Sequence, residues 1–168
     1  CVPLLTKKYS DIHHIHSIIW WLTEVILGKT KLDIMTSSLP LSKDHYTKII
    51  TCITQHINDD YPLQYLLKTI PFCNVTIAIQ PPILIPRPET EEWVSRLIHQ
   101  LKPLYNQHLT ILDMCTGSGC IGIAIAQALP HATIIAIDIE PQALELAQYN
   151  AEHNAITNIH FIRSDLFT

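Results

Sequence analysis

Apolar residues recur along the first third of the chain at helical spacing. Ile12, Ile15, Ile19, Leu22 and Ile26 fall three and four residues apart, which places them on one face of a helix. The spacing predicts a helix over 10–27, with Ser10 or Asp11 as its cap and Gly28 in the left-handed position that closes it. Trp20 and Trp21 diverge on that helix, so one is expected in the core and the other at the surface. Residues 32–39 read as a connector of about one helical turn, ended by Pro40. Ser42 then caps a helix over 43–58 with Tyr46, Ile49, Ile50, Ile53 and Ile57 inward, and Pro62 opens a short helix to Leu67. Three such helices make a small bundle, either a packing cap on the next domain or a module that docks a partner.

The period then changes to two. Val75, Ile77 and Ile79 alternate with Thr76, Ala78 and Gln80, the pattern of a half-buried strand. Ile83, Leu84 and Ile85 come after Pro81-Pro82, and prolines block ladder bonds. The stretch 70–86 is expected to be a β-hairpin or a pair of extended segments linking two domains. Pro88 suits the first position of a helix to about Leu101, and Glu89, Glu91 and Glu92 suit its dipole. Those acids do not explain Arg87, stiffened between two prolines. Arg87, Pro88, Glu89 and Thr90 are therefore expected to form a loop held over a site.

From residue 109 the pattern alternates: strand 109–113, helix 120–129, strand 132–138, helix 141–153, strand 159–163. The strand runs are almost continuously apolar, as in a parallel sheet covered on both faces, and right-handed crossovers place the strands side by side in chain order. Ligands bind at the carboxyl ends of such strands. There the chain carries Asp113, then the turn Met114-Cys115-Thr116-Gly117-Ser118-Gly119, and acids again at Asp138 and Asp165. A glycine turn opening a helix brings backbone N–H groups to a ligand.

Gly117, Gly119 and Gly122 satisfy G-x-G-x-x-G, and Asp138 lies at close to the ~20 residues expected of a ribose-binding acid. The spacing fits a dinucleotide or another nucleoside. Asp113, read at the mouth of the turn, would repel a pyrophosphate and favour the ammonium and sulfonium of S-adenosylmethionine. On that reading Asp113, Cys115, Thr116, Gly117, Ser118 and Gly119 form the cofactor turn. Asp138 accepts from the ribose, Asp165 from the adenine amino group, and Ile139 and Leu166 flank the base.

Composition narrows the partners. Of 168 residues, 48% are apolar and 15% charged, with net charge −4; this excludes disorder and offers no basic footprint for nucleic acid. Neither a membrane span nor a leader peptide is read. The five cysteines form no C-x-x-C pair, so neither a disulfide framework nor a metal site is expected.

Four blocks occur in family order: Tyr61-Pro-Leu-Gln-Tyr-Leu-Leu67, Ile85-Pro-Arg-Pro-Glu-Thr-Glu-Glu-Trp93, Asp113-Met-Cys-Thr-Gly-Ser-Gly-Cys-Ile121 and Ser164-Asp-Leu-Phe167. Over roughly residue 60 to the end the chain resembles the HemK/PrmC family, the class I methyltransferases that modify the glutamine of the Gly-Gly-Gln motif in peptide release factors. The Ile-Pro-Arg-Pro-Glu-Thr-Glu block is the most specific, and Cys-Thr-Gly-Ser-Gly-Cys with Glu-Glu-Trp resembles fungal mitochondrial members. The resemblance implies an N-terminal helical domain (1–69) that contacts the release factor, a β-hairpin linker (70–87) and a Rossmann-like α/β domain (88–168) of which three parallel strands are present. It implies S-adenosylmethionine contacts at Cys115–Gly119, Asp138 and Leu166. A monomer is expected, acting on a protein rather than on nucleic acid or a membrane, in the mitochondrion or alternatively the cytoplasm.

The family's Asn-Pro-Pro-Tyr motif, which holds the acceptor amide, is absent from these 168 residues. A planar amide nitrogen is a poor nucleophile and must be oriented toward the methyl group. No catalytic residue is therefore expected in this chain, which alone should not transfer methyl groups. The alternatives are a related N-methyltransferase acting on nucleic-acid adenine or another protein glutamine, and a non-catalytic partner-binding remnant.

Overall fold

The computed structural model of the chain describes residues 1–36 and 41–167. It divides into two compact units, Cys1–Leu67 and Lys68–Thr168.

The first unit is helical: α1 (Val2–Leu5), α2 (Ile12–Leu27), α3 (Lys31–Thr36), α4 (Lys43–Asn58) and α5 (Leu63–Leu67). Asp11 caps α2 by accepting from the His13 N–H, Gly28 closes it in the left-handed region, and Ser42 caps α4 by accepting from the His45 N–H. The core gathers Leu5, Ile15, Ile18, Leu22, Ile49, Cys52, Ile53 and Leu63. Three details differ from the sequence reading, whereas a helical turn in the connector was expected. The short helix α1 is unforeseen, and it delivers Leu5 to the core. Both Trp20 and Trp21 are half-buried, Trp21 against the core and Trp20 beneath the Lys31 ammonium, 4.8 Å from the ring centroid. The connector is helical over Lys31–Thr36, and its expected end at Leu39-Pro40 lies outside the described residues. Tyr46 is exposed, whereas His56 is buried on the inward face of α4. The His56 ring nitrogens meet the Tyr9 hydroxyl at 2.6 Å and the Tyr61 carbonyl at 2.8 Å, and these partners make its burial tolerable.

The second unit opens with an antiparallel hairpin, β1 (Thr69–Phe72) and β2 (Val75–Ala78). Ile83-Leu84-Ile85 forms no strand. Then come α6 (Pro88–Leu101), β3 (Thr110–Met114), α7 (Cys120–Ala128), β4 (Thr133–Asp138), α8 (Pro141–His153) and β5 (Ile159–Arg163). The three later strands are parallel and lie in chain order, β3-β4-β5. Gly122 of α7 sits over Asp113, Ile134 and Ile159, which fixes the face that this helix covers; α8 packs against α7, β4 and β5. Leu112 and Ile162, on the opposite face, are 47% and 48% exposed.

No helix among the described residues is long and apolar enough to cross a membrane.

Candidate functional site

The glycine turn joins β3 to α7 at the carboxyl end of the sheet. Cys115, Gly117 and Gly119 all have positive φ, at 57°, 56° and 80°. The Thr116 N–H donates to the Ile137 carbonyl at 2.9 Å, which ties the turn to β4, and the Gly119 N–H donates back to the Thr116 carbonyl at 2.8 Å. A Cβ on Gly119 would lie 2.9 Å from both Ala147 Cβ and Ile123 Cδ1, so α7 and α8 close on this residue as only glycine permits.

Asp113 does not stand at the mouth of the turn. It is buried, and its Oδ2 accepts from the Thr116 hydroxyl at 2.7 Å and the Gly122 N–H at 3.0 Å. Burial raises its pKa above the ordinary 3.8; the Thr116 and Gly122 bonds pull the other way, and Asp138 pushes it further up. The position expected to repel phosphate is instead an internal tie between turn, strand and helix. Neighbouring Cys120 is also buried, and its thiol is pushed up to about 11.

Asp138, half-buried, borders a cleft instead. Its Oδ2 accepts from the Gly117 N–H at 2.9 Å and its Oδ1 from the Glu140 N–H at 3.1 Å. Each carboxylate oxygen keeps acceptor capacity beyond one bond. A cleft of about 220 Å³ opens here, lined by Pro82, Ile83, Leu84, Gly117, Asp138, Glu140, Gln142 and Ala143. Its charged lining consists of Asp138 and Glu140, with no lysine or arginine among these residues. That chemistry opposes a pyrophosphate and favours a ligand with hydroxyl donors and a positive centre.

Ile139, Leu166 and Asp165 lie exposed at the ends of β4 and β5, with Ile139 and Leu166 each 50% exposed. Arg87, Pro88, Glu89 and Thr90 are not brought to the cleft. Arg87 caps α6 in extended conformation, and its carbonyl accepts from the Thr90 and Glu91 N–H groups. Pro88, with Glu91, Glu92 and Ser95, faces a separate, larger cleft beside Cys73 and Asn74 that contains neither the glycine turn nor a strand-end acid. The wall that the sequence reading missed is Pro82-Ile83-Leu84. Its signal was present in the chain, an apolar triplet directly after two prolines.

A family profile described as a methyltransferase domain matches residues 105–168. The chain is similar to the probable MRF1 mitochondrial N(5)-glutamine methyltransferase mtq1 of Schizosaccharomyces pombe, at 43% identity over 75% of this chain and 43% of that protein. It is similar to the release factor glutamine methyltransferases of Thermodesulfovibrio yellowstonii, at 34% identity over 84% of this chain and 50% of the relative, and of Escherichia coli, at 34% over 88% and 52%. Among solved structures, the M. jannaschii tRNA m1G37 methyltransferase matches 58% of this chain and 30% of its own at 24% identity and TM-score 0.49. The chain spans about half the length of the curated relatives it matches. The similarity extends to fungal and bacterial glutamine methyltransferases alike, and the parallel sheet with its glycine turn, preceded in the chain by helices, is a Rossmann-like α/β arrangement.

Proposed function

We propose that this chain supplies the cofactor-binding part of an S-adenosylmethionine-dependent methyltransferase that modifies a glutamine amide, with the Gly-Gly-Gln motif of a peptide chain release factor as substrate. One observation carries the reading: the alignment with the E. coli release factor enzyme covers 88% of the chain and so must include residues of both compact units. A bare methyltransferase core would share only the second.

In the cleft, Asp138 accepts from the ribose hydroxyls while its bonds to the Gly117 and Glu140 N–H groups hold the carboxylate in place. Leu84, Ile139 and Leu166 offer apolar faces to the base, and Asp165 accepts from its amino group. The bound cofactor supplies a methyl group on a positively charged sulfur, a charge that Asp138 and Glu140 favour. Cys115, Thr116 and Ser118 shape the turn, and Asp113 locks it from within. The helical unit docks the release factor, and residues 1–69, 70–87 and 88–168 act as docking domain, hairpin and cofactor domain. The protein acts as a monomer in the mitochondrion, a location supported by the name of the S. pombe relative.

The test is calorimetric titration of the full-length protein with S-adenosylhomocysteine. A hydrogen bond to a charged acceptor is worth about 1.5–3 kcal/mol, so Asp138→Ala should weaken binding about tenfold or more. Unchanged affinity would remove Asp138 from the site, and tighter binding of NADH would replace the reading with a dinucleotide one.

A further inference from the structure

Asn150 is fully buried in the middle of α8. An amide in such a place must find partners, and this one joins two elements that are remote in sequence. Its Oδ1 accepts from the Ala78 N–H at 2.7 Å, and its Nδ2 donates to the Ala78 carbonyl at 3.0 Å. The same Nδ2 donates to the Ser118 carbonyl, inside the glycine turn, at 2.9 Å. Four residues on, at the C-cap of α8, Asn154 repeats the first half of the pattern on Thr76, accepting from its N–H at 2.9 Å and donating to its carbonyl at 2.7 Å. The two carboxamides thus act as a surrogate strand along the free edge of β2, two residues apart in register. Only Asn150 reaches onward to the turn.

The consequence at the turn is specific. The peptide between Ser118 and Gly119 is a rigid plane. Asn150 holds its carbonyl, while its N–H donates to the Thr116 carbonyl at 2.8 Å. Three residues earlier on α8, Ala147 presses against Gly119. The plane is fixed at both ends and from one side, and the hairpin is fastened to one of those ends.

We infer that Asn150 is a positioning residue that couples the β1–β2 hairpin to the cofactor turn, so that occupancy of the turn tightens the hairpin and displacement of the hairpin loosens the turn. This rests on the cofactor reading above and adds a route by which whatever grips the hairpin reaches the bound cofactor. Asn150→Asp removes both Nδ2 bonds and sets a carboxylate against two carbonyl oxygens. Asn154→Asp breaks only the tether at Thr76 and leaves Asn150 holding both Ala78 and the turn.

The experiment uses the full-length protein and S-adenosylhomocysteine, with two readouts. By calorimetry, Asn150→Asp should bind about tenfold more weakly, a difference of about 1.4 kcal/mol, while Asn154→Asp stays within about twofold of the parent. In the unsubstituted protein, the ligand should slow hydrogen exchange of the Ala78 N–H several-fold more than that of the Thr76 N–H. This second readout needs no variant to fold, and a purely structural role for Asn150 would not produce it. Binding with equal slowing at Thr76 and Ala78, or with none at either, overturns the coupling and leaves the cofactor reading standing. Equal loss of affinity in the two variants does the same. No binding by the unsubstituted protein overturns both.

Discussion

Replacing Gly119 by alanine isolates what the turn demands of its backbone. Gly119 sits at φ 80°, ψ 3°, where an L-residue is strained by about 1–2 kcal/mol. The new methyl would also meet Ala147 Cβ and Ile123 Cδ1 at 2.9 Å and the Ala147 Cα at 3.2 Å. Ile123 can turn aside, but the Ala147 backbone belongs to a packed helix, so overpacking adds about 1–3 kcal/mol. The sum is about 2–5 kcal/mol, a large share of the ~5–15 kcal/mol that holds an ordinary domain together. Gly117 is the control. It has a similar φ of 56°, yet a Cβ there would find nothing nearer than 3.9 Å, so Gly117→Ala should cost only the strain, about 1–2 kcal/mol. Urea unfolding followed by circular dichroism separates the two. At a slope of about 2 kcal/mol/M, Gly119→Ala should lower the midpoint by roughly 1–2.5 M and Gly117→Ala by roughly 0.5–1 M. Equal midpoints for the two variants would show that α8 does not close on the turn as described.

Asp113 and Cys115 are open to simpler measurements than Asp138 and Asn150. Asp113 has a folded-state pKa raised above 3.8, so the folded chain binds its proton more tightly than the unfolded one; the contribution is favourable at low pH and is lost as pH rises through the folded pKa. The stability of Asp113→Asn relative to the parent should therefore improve as pH rises from 3.8 toward neutrality, and a pH-independent difference in urea midpoints would refute this. Cys115 is exposed whereas Cys120 is buried with its thiol pushed up to about 11, so a thiol reagent at neutral pH should label Cys115 well before Cys120 by peptide mass mapping; the reverse order would contradict the placement of the turn.

The helices opened by Asp11, Ser42 and Pro88 and the glycine turn were legible in the chain because each depends on neighbours a few residues away. A 3.6-residue period, a capping side chain and a glycine at positive φ are local requirements, and they survive whatever the rest of the molecule does. The place of Asp138 at the end of its strand also came from the local pattern, since a strand's carboxyl end is where such a sheet opens.

Other features depended on residues distant in sequence. Asp113 and Asp138 both close apolar strands, yet one is buried beneath Gly122 and the other borders the cleft, a difference set by how α7 packs on β3. Tyr46 and His56 occupy one helix, and hydropathy favours the tyrosine inside. The opposite arrangement holds because Tyr9, 47 residues from His56, supplies the hydrogen bond that the buried imidazole needs. Proline stiffening suggested that Arg87–Thr90 would overhang the site, but stiffness carries no direction, and the segment begins α6 away from the cleft. Pro82-Ile83-Leu84 forms the wall instead. Ile83 is buried against Ala143 and Leu146 of α8, and that contact between distant segments has no trace in local periodicity. Asn150 is the sharpest case: an amide on the buried face of an amphipathic helix is locally a mismatch, and only the arrival of Ala78 and Ser118 turns the mismatch into a joint.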